Sequence, residues 1–395
     1  MSLIYASLAM ATAGLLIGET GASLSLMVEA LALDAAAQGS IVAVRFVGGV
    51  VCGLLLWVRA RSLPLGRGIQ LSLLATLVTT PLLLLGSYRA AWTVALVRGL
   101  TVGFIIPATG VFASRQQRWS VGETAAVVNA ALSAGLVLVS AVALVLAGGP
   151  APRWELYWLV GPLLALGTLI VGAAGGAQMV AEDRRANHGR PAVPAAREAL
   201  LPVLRRLLRS TVWRFSLASF FIVGTESVLL GLMPRLTALA GPGTGAATER
   251  FALAVMVGIL VGRLVGTVVL RAVPPQRVVL GSVAGLLLAG GIWALSGGWW
   301  LTVAMVLLGL ATANVFPAVV GVISRTLGAE APVTVASLGW MGGSGGTVVP
   351  PLVAIAALRI DAPLVVMGIV LLPISIAAVL VLSAGRSAGG SYWSG

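Results

Sequence analysis

The sequence predicts an all-α membrane protein whose twelve transmembrane helices form two pseudo-symmetric six-helix bundles. Three observations lead there. The composition is too apolar for a soluble surface, the apolar runs have the length of a bilayer crossing, and the second half of the chain repeats the first. Of the 395 residues 59% are hydrophobic and 9% are charged, whereas a water-facing shell needs about a quarter of its residues charged. The net charge of +13 comes entirely from arginine, since the chain has no lysine. These arginines cluster at alternate junctions between apolar stretches rather than on one face or tail, which speaks for a lipid partner and against nucleic acid.

Apolar runs of about 18 to 24 residues match a 30 Å hydrocarbon core. They place the spans at 7–30, 40–58, 69–86, 92–114, 124–147, 155–178, 213–236, 250–271, 278–296, 299–324, 333–357 and 362–384. The first stretch has no basic residue ahead of it and is too long for a signal peptide, so it is read as the first span. Spans four and ten carry Pro107 and Pro317, which predict a kink in each. Span eleven is thin and breakable, with Gly339, Gly342, Gly343, Gly345 and Gly346 ahead of Pro350 and Pro351. Those glycines suit either rocking or tight packing. Trp92, Trp154, Trp158, Trp299 and Trp300 fall at predicted membrane interfaces and read as anchors.

Arginine placement sets the orientation. Arg59, Arg61, Arg67, Arg115, Arg118, Arg271, Arg277, Arg325 and Arg386 share one side with the central group from Arg184 to Arg214. By the positive-inside rule both termini are cytoplasmic, and the location is the plasma (inner) membrane. The division is 1–180 for the first bundle, 181–212 for a cytoplasmic connector and 213–395 for the second bundle. The connector begins as a loop, and residues 196–209 suit a basic amphipathic helix on the anionic leaflet.

The halves resemble one another. Leu15-Leu-Ile-Gly-Glu-Thr-Gly-Ala-Ser-Leu-Ser-Leu-Met27 matches Phe221-Ile-Val-Gly-Thr-Glu-Ser-Val-Leu-Leu-Gly-Leu-Met233 at an offset of 206. Gly99, Pro107 and Ser114 recur as Gly309, Pro317 and Ser324 at 210, and Gly49 and Gly53 as Gly262 and Gly266 at 213. Three matches in chain order with nearly equal offsets indicate a duplicated six-helix unit.

Five ionisable residues lie inside these spans: Glu19, Arg45, Arg98, Glu226 and Arg263. Each opposes insertion by about 2.5–3.5 kcal/mol on insertion scales, so each is a candidate for function. Glu19 and Glu226 sit near the middle of spans one and seven and are the candidate proton carriers. His188, the lone histidine, belongs to the connector. Each glutamate has a plainer reading as a fixed ion pair holding helices together. Arg263 lies at a depth where a guanidinium can grip a carboxylate or a sugar diol. Arg45 lies nearer the outer surface, where it can also snorkel. Three embedded arginines against two glutamates leave an excess positive charge, which an anionic substrate would balance. Asn129 and Asn314 are candidates for hydrogen bonds to ligand hydroxyls, and Trp340 for stacking on a sugar face; amides also bridge helices, and tryptophan also packs.

The residues that carry a family resemblance are now in view. Phe220-Phe-Ile-Val-Gly-Thr-Glu226, Gly262-Arg-Leu-Val-Gly266, Gly309-Leu-Ala-Thr-Ala-Asn-Val-Phe-Pro317 and Gly342-Gly-Ser-Gly-Gly-Thr-Val-Val-Pro-Pro351 resemble the fucose-permease branch of the major facilitator superfamily. Nearly the whole chain is similar to that superfamily. The resemblance implies the major facilitator fold, alternating access about a midplane site and proton-coupled sugar carriage. In that fold spans one and seven line the cavity, which would bring Glu19 and Glu226 within reach of one ligand. Arg98 resembles the arginine that proton-coupled members carry in span four, and there it would pair with Glu19. The turn after span two, Trp57-Val-Arg-Ala-Arg-Ser-Leu-Pro-Leu-Gly-Arg67, lacks the acid of the family signature.

Enzyme readings fare poorly. Gly342-Gly-Ser-Gly-Gly346 fits a nucleophile elbow only formally, inside an apolar span far from the one histidine. Without lysine there is no Walker A motif and no pyridoxal Schiff base, and Cys52 alone makes neither a disulfide nor a thiolate zinc site. No cofactor and no metal are expected. The leading expectation is a monomeric secondary transporter for a small polar solute, sugar-like or carboxylated, moving with protons. Proton-coupled efflux of drugs or metabolites is the alternative, and a non-transporting receptor or scaffold the second.

Overall fold

A computed structural model describes residues 2–33, 35–59, 64–115, 121–147, 154–188, 210–231, 246–328, 331–357 and 363–387. The first half supplies α1 (Ser2–Leu31), α2 (Ala35–Arg59), α3 (Leu65–Thr79), α4 (Tyr88–Arg115), α5 (Val121–Ala147) and α6 (Trp154–His188). The second supplies α7 (Ser210–Gly231), α8 (Ala246–Ala272), α9 (Pro275–Leu295), α10 (Trp299–Thr312), α11 (Val315–Leu327), α12 (Ala331–Ala357) and α13 (Pro363–Ser387). Among the described residues nine helical segments are long and apolar enough to cross a membrane, with shorter apolar stretches at Leu3–Glu19 and Val44–Leu56. Leucine, isoleucine and valine side chains such as Leu84, Leu163, Ile170, Leu288 and Val379 stand exposed on the outside, as a lipid-facing surface requires.

Local chemistry sets the helix ends. After Thr79 the chain tightens into a 3₁₀ turn, Thr80–Leu85, because Pro81 has no N–H to continue the α-helix. Gly86 closes that turn at φ +54°, a conformation that costs glycine little. Span ten carries the expected kink as an interruption at Ala313 and Asn314, between α10 and α11. Pro317 cannot donate to the Ala313 carbonyl, and the Asn314 side chain turns to donate to the Gly262 carbonyl of α8 at 2.6 Å. Pro107, its counterpart, stays inside an unbroken α4.

One expectation is corrected. The start of the connector is helix rather than loop, since α6 runs on to His188 before Gly189 and Pro191; apart from Asp183, Ala181-Glu-Asp-Arg-Arg-Ala186 consists of good helix formers. Residues 196–209 lie outside the described residues. Span eleven is a continuous helix, α12. Its glycines serve close approach: Gly339 lies against Pro107, Gly342 against Val223 and Gly346 against Ser227, and a Cβ on Gly345 would collide with the Phe220 carbonyl oxygen.

The packing repeats between halves. α1 lies against α5 and α6 as α7 lies against α12 and α13, and α2 pairs with α4 as α8 pairs with α10. The halves meet where α5 packs on α8 and α2 on α12, with further contact of α12 on α4 and of α11 on α5. One buried apolar cluster joins Ala113, Ala125 and Ala126 of the first half to Val319, Val322, Ile323 and Val335 of the second, at the Arg-rich end of the molecule.

Candidate functional site

The five embedded charges fall into two groups. In the first half Glu19 of α1 and Arg98 of α4 form an ion pair that is 0% and 1% exposed. Helix α6 encloses it. Pro162 has no N–H for the Trp158 carbonyl, and Arg98 Nη2 donates to that orphaned oxygen at 2.5 Å. The Gly161 N–H donates to the other Glu19 oxygen, and any side chain at Gly161 would press on the carboxylate. The Trp158 ring lies 4.5 Å from the Arg98 guanidinium carbon, a cation–π contact, and Trp154 packs edge-on against Trp158 at 5.9 Å. Trp154 and Trp158 are thus buried and not interfacial anchors: the Trp158 ring covers the ion pair and Trp154 backs it. Trp299 and Trp300 do stand exposed, stacked at the start of α10.

Arg45 of α2 is half-buried. Its Nη2 donates to the Leu16 and Ile17 carbonyls of α1, each at 2.9 Å, and it lies within electrostatic reach of both Glu19 and Arg98. The bare backbone of Gly99 in α4, abutting the Arg45 main chain, allows this approach.

In the second half Arg263 of α8 donates to Glu226 of α7 at 2.7 Å, with side chains 2% and 20% exposed. Its Nη1 reaches into the first half, donating to the Asn129 carbonyl at 2.8 Å and to Ser133 Oγ at 2.6 Å, both on α5. The pair therefore sits on the seam between the halves. Asn129 contributes its main chain, while its side-chain amide donates back to Ala125. Asn314 stays on the α8–α11 contact with its Oδ1 buried and without a hydrogen bond. Trp340 of α12 packs into the first-half core beside Gly53. No hydrogen bond or ion pair joins Glu19 to Glu226; each glutamate is held by its own arginine.

Sequence reasoning missed three contributors. Ser133 and Gly161 are small residues with no pattern to mark them. Glu123 at the start of α5 is buried and accepts from Nε of the exposed Arg271 of α8 at 2.7 Å, with Arg271 Nη2 on the same oxygen. An acid opening an apolar run beside an Arg-rich connector was the available signal. Among the described residues no cluster of His, Cys, Asp and Glu is suited to a metal.

No family profile and no characterised relative matches at the level of sequence. Solved structures do match in shape. A substituted form of the E. coli fucose:proton symporter superposes at TM-score 0.71 with 18% identity, covering 97% of this chain and 99% of that one. A proton:xylose symporter bound to 6-bromo-6-deoxy-D-glucose gives 0.71 at 15% identity over 97% and 95%. A human organic anion transporter gives 0.68 at 14% over 95% and 98%. The chain has the major facilitator fold: all-α, with two similar halves facing each other across a seam that holds Glu226 and Arg263.

Proposed function

We propose that the protein is a secondary active transporter of the major facilitator superfamily, working by alternating access and carrying a small polar solute, sugar-like or carboxylated, together with protons. Bundles 1–180 and 213–395 rock about the seam, in the plasma (inner) membrane, as a monomer with both termini cytoplasmic. The observation that carries this reading is the Glu226–Arg263 pair. Arg263 belongs to one half and binds Asn129 and Ser133 of the other, so any rocking of the halves must remake its bonds. Glu226 keeps 20% of its side chain exposed, so water and protons can reach it. Protonating that carboxyl removes the ionic partner of Arg263 and thereby biases the seam.

Glu19 and Arg98, proposed with Glu226 as the proton-coupling set, act in this state as the rigid part: their pair fixes α1, α4 and α6 as one body. Asn129, Asn314, Trp340, Arg45 and Arg263 remain the candidate solute contacts. Shape relatives that are a fucose:proton symporter, a proton:xylose symporter and an organic anion transporter favour a polar solute over a lipophilic drug. Proteoliposomes under an imposed pH gradient test the reading with sugars, organic acids and cationic drugs. Solute entering with protons supports it; drug exchange for protons favours efflux, and no flux of any compound removes it.

A further inference from the structure

The excess positive charge of the embedded set can be assigned to one residue. Arg98 is matched by Glu19 and Arg263 by Glu226, which leaves Arg45 with no carboxylate at ion-pairing distance among the described residues. Arg45 is also the embedded arginine whose donors are least used. Nη2 alone is engaged, on the Leu16 and Ile17 carbonyls. Its Nη1 and Nε have no acceptor among the described residues, and the residue is half-buried, whereas the Nε atoms of Arg98 and Arg263 are enclosed. A guanidinium inside a bilayer that keeps free donors and shares its nearest carboxylate, Glu19, with Arg98 has room for an anion of its own.

We infer that Arg45 receives the anionic end of the transported solute, a small organic carboxylate. Its place supports this. Arg45 and Arg98 each lie ten residues into their helices, about 15 Å along the axis, so the free guanidinium stands level with the Glu19–Arg98 pair. Its neighbour Phe46 packs on Gly346 of α12, at 3.2 Å from where a Cβ would stand, so the turn of α2 that carries Arg45 borders the seam. Anchorage by two α1 carbonyls holds the Nη2 side still and presents Nη1, with two N–H donors, to a carboxylate. Arg263, the sequence-based choice for this role, has its Nη groups filled by Asn129, Ser133 and Glu226.

This inference rests on the transporter reading for the word solute, but its test does not need transport. The purified full chain in detergent is melted in sodium chloride, phosphate, acetate, lactate and D-glucuronate at equal ionic strength, and with D-glucose as the neutral counterpart of glucuronate. At least one carboxylate should raise the melting midpoint saturably where D-glucose, chloride and phosphate do not. Arg45→Gln should weaken that binding by about 10- to 100-fold, the loss of one charge-assisted bond, read as the carboxylate-dependent shift from the variant's own midpoint in chloride. Arg45→Lys, which keeps the charge, should be intermediate and covers the case in which the glutamine variant misfolds. Arg67→Gln, on the exposed start of α3, should match the parent. Unchanged binding in Arg45→Gln and Arg45→Lys, or no carboxylate response in the parent, overturns the inference. An equal response to chloride or phosphate overturns it too, by identifying an adventitious anion or headgroup site. Separate outcomes mark the transporter reading. Proton-driven flux of a neutral sugar that Arg45→Gln leaves intact would sink the Arg45 assignment alone, whereas carboxylate binding lost in Arg45→Gln without flux of any solute would sink transport alone.

Discussion

Two glutamate–arginine pairs in one membrane protein can do opposite work, and the contrast between Glu19–Arg98 and Glu226–Arg263 shows what decides. The first is 0% and 1% exposed, closed within one half by the Trp158 ring, the Trp158 carbonyl and the Gly161 N–H. The second is 20% exposed at its glutamate and spans the seam through Asn129 and Ser133. A pair whose described partners all lie in one half is carried along when that half moves. A pair whose partners lie in both halves cannot avoid sensing that motion.

The contrast breaks most visibly at Glu19. Glu19→Gln leaves Arg98 buried without a counter-ion and should cost about 3–5 kcal/mol, read as a large fall in the melting midpoint. Joint replacement by Glu19→Leu and Arg98→Met should recover much of it. A Glu19→Gln protein as stable as the parent would remove the rigid-brace role. Glu226→Gln should be milder for folding and harsher for coupling: proton-driven accumulation should drop by about 5- to 150-fold, the span of typical coupling energies, with solute exchange at zero gradient retained. Equal loss of exchange and accumulation would speak against a proton role.

Ser133→Ala sharpens the seam. Removing one of the two α5 acceptors of Arg263 should cost about 1 kcal/mol, and Ser133→Thr should restore it; no shift in unfolding would mean that the bond across the seam carries nothing. The smallest effect is expected at Glu123→Gln, about 0.2–1 kcal/mol, because Arg271 is exposed and such pairs are screened. That effect should vanish at high salt, and one insensitive to ionic strength would contradict its surface character.

The fold and the charged members of the site were legible in the sequence for one physical reason: a charge inside an apolar run is conspicuous. Glu19, Arg45, Arg98, Glu226 and Arg263 needed no structure to be noticed, and the repeat of Gly49 and Gly53 at Gly262 and Gly266 marked the two halves. What encloses those charges was not legible. Pro162 and Gly161 look like ordinary helix residues until Arg98 and Glu19 arrive from other helices to use the freed carbonyl and the N–H. Ser133 was one small residue among many, and Trp158 had the look of an interfacial anchor. The interruption at Ala313 and Asn314 was announced by Pro317, but the bond from the Asn314 side chain to the Gly262 carbonyl of a neighbouring helix was not.

The most direct measurement is infrared difference spectroscopy of the reconstituted protein on acidification, which reports protonation of a carboxyl without needing a known solute. The account predicts a protonated-carboxyl band that Glu226→Gln abolishes. A band that survives Glu226→Gln unchanged would place the moving proton on another carboxyl, Glu19 first, and would overturn the division of labour between the two pairs.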